Sequence, residues 1–140
     1  MVITTTSVDA TRSFGARVAV QAGPGDIFAL KGDLGTGKTE FVRGFVAALD
    51  GSITVRSPSF AIVNTYVTPL LPVYHFDFYR LGDISELEEI GFDEYTESEG
   101  ICLIEWATMF SAALPSRTRL LSFEDTGIQK REISFDFPLS

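Results

Sequence analysis

The run Gly32-Asp33-Leu34-Gly35-Thr36-Gly37-Lys38-Thr39 fits the phosphate-binding pattern G-x-x-x-x-G-K-[S/T] at every fixed position and follows directly on the apolar stretch 27–30. At average usage of glycine, lysine and hydroxyl residues the pattern arises by chance in roughly one chain in two hundred of this length. Its chemistry is the holding of a nucleoside triphosphate. Glycines let backbone N–H groups turn inward around an anion, and the N-terminus of the following helix adds partial positive charge. Lys38 is placed to reach the β- and γ-phosphates, and the Thr39 hydroxyl to coordinate the Mg²⁺ that bridges them. The other reading of the run is a glycine-rich strand-to-helix turn that binds nothing.

A phosphate loop alone does not hydrolyse ATP; acids at neighbouring strand ends must hold the metal and orient water. Two segments supply candidates. In Val73-Tyr74-His75-Phe76-Asp77-Phe78-Tyr79-Arg80 a period of two puts His75, Asp77 and Tyr79 on one face and Phe76 and Phe78 on the other. Glu105 closes the apolar run Ile101-Cys102-Leu103-Ile104 and precedes Trp106, where a metal-site carboxylate belongs. The plainer alternatives are an Asp77 paired for structure and a Glu105 facing solvent. His75 reads equally as a hydrogen-bonded structural residue and as a proton carrier. Between loop and acids lies Arg56-Ser57-Pro58-Ser59-Phe60, where Pro58 excludes helix and the hydroxyls suit sensing of a γ-phosphate. An ordinary turn would look the same.

Around these residues the periodicity predicts a strand at 2–5, then a helix capped by Ser7 or Asp9 and running to about Val20 with Val8, Phe14 and Val18 inward. A turn at 23–25 precedes a strand at 26–30, the loop, and a helix over 38–49 that turns Phe41, Val42, Phe45 and Val46 to the sheet and is stopped by Gly51. Strands at 61–66 and 73–79, joined by the proline-marked turn 68–72, predict a hairpin. Acidic helices, a strand at 100–105, a short helix at 107–114 and strands at 118–123 and 131–137 complete an α/β domain with a mixed sheet flanked by helices.

With 140 residues, 45% apolar and 21% charged, the composition suits one globular domain, residues 1–140. The formal net charge of −8 argues against a chain that grips nucleic acid by itself, since that grip comes from Lys and Arg displacing counterions. Much of the acid falls in 83–99, read as a solvated helical face or as a docking surface for a basic partner. The single cysteine, Cys102, has no disulfide partner and reads as core filler. No apolar stretch approaches membrane-spanning length and the start lacks the features of a secretory signal, so the expected location is cytoplasmic, with no membrane association.

The runs GDLGTGKT, SPSF, YHFDFYRL and ICLIEW, in this order and spacing, resemble the TsaE family, bacterial ATPases of tRNA threonylcarbamoyladenosine biosynthesis. The resemblance runs from about Ser7 to the strand containing Arg131 and is most specific at His75, Asp77, Tyr79 and Arg80 and at 104–106. It implies a P-loop NTPase-like fold, Mg²⁺-dependent ATP binding and slow hydrolysis. It also implies action with the TsaD and TsaB proteins, with tRNA met only through that complex. By resemblance, Lys38, Asp77 and Glu105 are catalytic, and Thr39, Asp77 and Glu105 serve the metal. The nucleotide is then contacted by Gly32, Leu34, Gly35, Thr36, Gly37, Lys38, Thr39, Glu40, Ser59, Trp106 and Arg131, with the base between 7–9 and Arg131.

The chain departs from the family pattern at Glu40, where a hydroxyl residue is usual, at Ser59 in place of Thr, and at Thr108, where an acid often follows. Glu40 suits the helix dipole but brings like charge towards a triphosphate, so a reduced ATP affinity is expected. The rival readings are a nucleotide-gated binding module whose hydrolysis is vestigial and a small-molecule phosphotransferase. The latter usually carries an arginine-rich lid that this sequence lacks.

Overall fold

Ile101-Cys102-Leu103-Ile104 is apolar at every position, the pattern of a strand covered on both faces. In the computed structural model, which describes residues 1–33, 35–56 and 62–139, strand β5 (Ile101–Glu105) lies parallel between β2 (Ile27–Lys31) and β4 (Pro72–Asp77). The other strands are β1 (Val2–Thr5), β3 (Val63–Val67), β6 (Arg119–Gly127) and β7 (Lys130–Phe135). Together they form one seven-stranded sheet in the order β1-β7-β6-β2-β5-β4-β3. The pairs β4–β5, β5–β2 and β2–β6 are parallel; β3 is antiparallel to β4 at one edge, and β7 and β1 run antiparallel beyond β6 at the other. The expected mixed sheet with flanking helices is the observed fold.

Alternation along the central strands divides the core in two. Phe28, Leu30, Leu103 and Leu121 pack with Phe14, Val18, Phe41 and Phe45 of helices α1 (Val8–Gln21) and α2 (Lys38–Leu49). Ile27, Ala29, Phe76, Cys102 and Ile104 pack with Leu87 of α3 (Ser85–Glu89), Phe92 of α4 (Phe92–Thr96) and Ala107 on the other face. The acids of the α3–α4 region lie mostly at the surface, Asp83, Glu88, Glu89, Asp93, Glu94 and Glu97 among them. Cys102 is fully buried and burial pushes its thiol up to about 12, as befits an inert core residue.

Local differences from the sequence reading have identifiable causes. Ser7 rather than Asp9 caps α1: its extended backbone lets Oγ accept the Ala10 N–H at 3.0 Å. Val8, expected inward, is 46% exposed, because it stands in the first turn beyond the cover of the sheet. Helix α2 begins and ends as expected, but Asp50, extended at φ −157°, terminates it rather than Gly51, and its carboxylate accepts from the Ser52 N–H and hydroxyl. The strand expected over 73–79 stops at Asp77, whose side chain takes the Tyr79 N–H at 3.1 Å and turns Phe78–Arg80 into a short 3₁₀ helix. Tyr79 therefore leaves the face of His75 and Asp77 and is exposed. The hairpin β6–β7 is longer than expected, with Gln129 at φ 56° in its turn.

Helices α1 and α2 cross at a distance that only glycine allows. A Cβ on Gly44 would stand 1.8 Å from the Arg12 carbonyl oxygen, and one on Gly15 would stand 2.2 Å from that of Phe41. Helix propensity alone favours Ala over Gly by about 1 kcal/mol, so the sign of the effect is diagnostic. Gly44→Ala is expected to lower the unfolding free energy by about 2 kcal/mol in chemical denaturation; unchanged or raised stability would show that the crossing is looser than this.

Candidate active site

The parallel strands β2, β4, β5 and β6 share a carboxyl edge, where ligands of open α/β sheets bind. Strand β2 ends in the glycine-rich loop, β4 in Asp77 and β5 in Glu105, with Asp77 and Glu105 in register on adjacent strands. The cleft there has a volume of about 450 Å³, and its lining includes Lys38, Thr39, Asp77, Glu105, Trp106 and Arg131.

Gly35 at φ 77° and Gly37 at φ 97° hold left-handed conformations that keep the loop open ahead of α2. Lys38, only 4% exposed, donates to the carbonyls of Gly32 and Asp33 and sets its ammonium 3.7 Å from the centre of the Trp106 ring. Burial pushes that ammonium down from its ordinary range, while the negative charges of Glu105, Asp77 and Asp33 hold it up. Trp106 is in place because its backbone adopts φ 59°, a conformation a bulky residue takes only where its surroundings enforce it. Its ring also lies 4.9 Å from that of Tyr79. Arg131 of β7 donates from Nη2 to the Gly35 carbonyl at 2.9 Å and from Nη1 to Asp125 at 3.1 Å, tying the far hairpin to the loop.

Glu105 is buried, so the solvent-facing alternative is excluded. Its Oε1 accepts from the Thr39 hydroxyl at 3.1 Å, and its Oε2 lies 2.6 Å from His75 Nε2. Burial raises the Asp77 carboxyl above its usual range and the nearby Glu105 adds to this, against the Tyr79 N–H bond and the charge of Arg80, whose Nε is 3.5 Å away. The Thr39 hydroxyl and the two carboxylates are hard oxygen donors on one side of the loop, a set that fits Mg²⁺. Among the described residues no cluster of three or more metal-binding side chains assembles.

The sequence reading thus meets its residues at one place, with exceptions. Leu34 and Ser59 lie outside the described residues, and Gly32 is not in the cleft lining, its carbonyl being taken by Lys38. His75 is fully buried behind Glu105. Ser7 and Val8, from the segment 7–9 expected beside the base, line the cleft, and Thr11, Tyr79, Arg80 and Gln129 join them without having been expected at the nucleotide or the metal. Arg80 had a readable signal, three residues past Asp77 in a run of alternating aromatics; Gln129 had none.

These features define an α/β protein with a P-loop NTPase-like fold and a glycine-rich loop facing paired strand-end acids. Residues 5–133 match the family model described as "Threonylcarbamoyl adenosine biosynthesis protein TsaE". The chain belongs to the TsaE family. It is 40% identical over 131 residues to the tRNA threonylcarbamoyladenosine biosynthesis protein TsaE of Bacillus subtilis, covering 94% of this chain and 82% of that one. The corresponding protein of Treponema pallidum is 32% identical over 128 residues, 91% of this chain and 94% of the other. Among solved structures, that of Bacillus subtilis YdiB superposes with a TM-score of 0.81 at 36% identity, over 96% of this chain and 83% of that one. No helix among the described residues is long and apolar enough to cross a membrane.

The like charge expected of Glu40 has an orientation the sequence does not show. Its carboxylate turns to Arg12 of α1, 2.7 Å away, and to Arg43 one turn on. Burial pushes the Glu40 carboxyl up, but the hydrogen bonds from Arg12 and Arg43 outweigh that and leave it below the usual range. Removing it deletes one negative charge near the loop and releases two guanidinium groups. Glu40→Thr is expected to tighten triphosphate binding a few-fold in calorimetry, less so at high salt, while costing about 1 kcal/mol of stability or less. Unchanged affinity at low salt would remove the repulsion.

Proposed function

We propose that this chain is a Mg²⁺-dependent ATPase that acts with the TsaD and TsaB proteins in forming threonylcarbamoyladenosine on tRNA. The observation that carries the reading is the convergence of Lys38, Thr39, Asp77 and Glu105 at one carboxyl edge, beside an open glycine loop. Lys38 leaves its loop carbonyls to meet the β- and γ-phosphates, and the loop N–H groups and the start of α2 supply further positive potential. The Thr39 hydroxyl, Asp77 and Glu105 hold the metal, which when bound neutralises charge on the departing γ-phosphoryl group. Glu105 also orients the attacking water. Trp106, freed of the Lys38 ammonium, offers its face to the nucleotide, and Arg131 holds Gly35 from the opposite wall. The net charge of −8 supports a route to tRNA through partners rather than direct grip. A cytoplasmic setting accords with the partners and with ATP supply.

The deciding experiment measures ATP binding and hydrolysis with Mg²⁺, alone and with TsaD and TsaB. Lys38→Ala is expected to abolish nucleotide binding. Glu105→Ala keeps nucleotide binding at saturating Mg²⁺ and lowers turnover on the order of a hundredfold. Hydrolysis that rises with the partners supports the proposal. Normal turnover in Glu105→Ala overturns the role of that residue, and binding without turnover in any mixture makes the chain a nucleotide-gated binding module.

A further inference from the structure

Behind Glu105 lies a line of buried polar groups that never reaches the cleft. Tyr66 of β3, His75 of β4 and Glu105 of β5 occupy diagonal positions on adjacent strands, on the face turned to α2. The Tyr66 Oη is 2.9 Å from the Arg56 carbonyl oxygen, 3.3 Å from the Arg56 nitrogen and 3.1 Å from His75 Nδ1. Counting protons fixes the directions. A carbonyl only accepts, so the single phenolic proton points to it, and Tyr66 must accept from its other neighbours. His75 therefore carries a proton on Nδ1 and donates it to Tyr66, which aims Nε2 at Glu105 Oε2 across 2.6 Å, a contact that itself requires a proton between nitrogen and carboxylate. An imidazole engaged at both nitrogens cannot turn over, and with Oε2 held the Thr39 hydroxyl meets the carboxylate more closely at Oε1, 3.1 Å against 3.4 Å to Oε2.

We propose that His75 and Tyr66 are positioning residues that set the orientation of the Glu105 carboxylate for Mg²⁺ at the Thr39 side. The proposal rests on the ATPase reading of the site. Neither residue lines the cleft, so neither touches nucleotide. Their role is that of an outer shell whose loss typically lowers metal affinity or activity by about 10- to 100-fold.

The test binds a non-hydrolysable ATP analogue, over a range of Mg²⁺ concentrations, to the wild-type chain, Tyr66→Phe, His75→Leu and His75→Gln. Tyr66→Phe deletes only the hydroxyl. It is expected to raise the Mg²⁺ needed for half-maximal tightening about tenfold, with analogue affinity in the absence of Mg²⁺ unchanged within about twofold and, in turnover, kcat falling without KM. His75→Leu behaves alike or worse, while His75→Gln, whose amide can still reach Glu105, recovers part of the loss. His75 is the only histidine in the chain, so nitrogen NMR of selectively labelled protein reads both ring nitrogens directly and should show a proton on Nδ1 and a hydrogen-bonded Nε2. Folded Tyr66→Phe with the Mg²⁺ dependence of wild type, or a bare Nδ1, overturns the proposal even if His75→Leu fails to fold. Absence of Mg²⁺-dependent analogue binding by the wild-type chain instead defeats the ATPase reading itself, and the positioning role with it.

Discussion

A carboxylate buried at the end of an apolar strand has to be satisfied, and much of the architecture around the cleft answers to that requirement at Glu105. One oxygen takes the Thr39 hydroxyl from the first turn of α2 and the other meets His75 of β4, which in turn is held by Tyr66 of β3. A single acid thus fixes the start of one helix against two neighbouring strands. The parallel pairing of β4 with β5 sets Asp77 alongside it, and that of β5 with β2 brings the phosphate loop to the same edge. Burial, with the like charge of Glu105 beside it, raises the Asp77 carboxyl.

The second constraint is mechanical. The geometry of the glycine-rich loop depends on where α2 begins, and α2 is held by the glycine crossing with α1 and by the Arg12–Glu40–Arg43 cluster. On the other side of the loop, Arg131 reaches across from β7 to the Gly35 carbonyl. The antiparallel hairpin that extends the sheet beyond β6 therefore also forms a wall of the cleft, beside Ser7, Val8 and Thr11 at the entrance to α1. Elements remote in sequence share one boundary.

Much of this was legible beforehand because it is local. The α2 boundaries follow from a loop that must precede a helix and from apolar residues at 41, 42, 45 and 46; β5 follows from an uninterrupted apolar run. The reading failed where a side chain competed with the backbone. Alternation continues through Tyr79, but the Asp77 carboxylate captures the next turn's N–H and ends the strand. Pairings across long separations were invisible for another reason: Arg12 meets Glu40, and Tyr66 meets His75, only through helix crossing and strand register that no short window encodes. His75 looked undecided because its meaning depends on both neighbours at once.

Trp106 is the sole tryptophan of the chain, and its indole lies 3.7 Å from the Lys38 ammonium. Excited at the red edge, where phenols do not absorb, the emission therefore arises from one ring beside the glycine-rich loop, with no other indole to dilute it. The molecule carries its own spectroscopic label beside Lys38, and a displacement of that ammonium from the ring would be read in emitted light without any added dye.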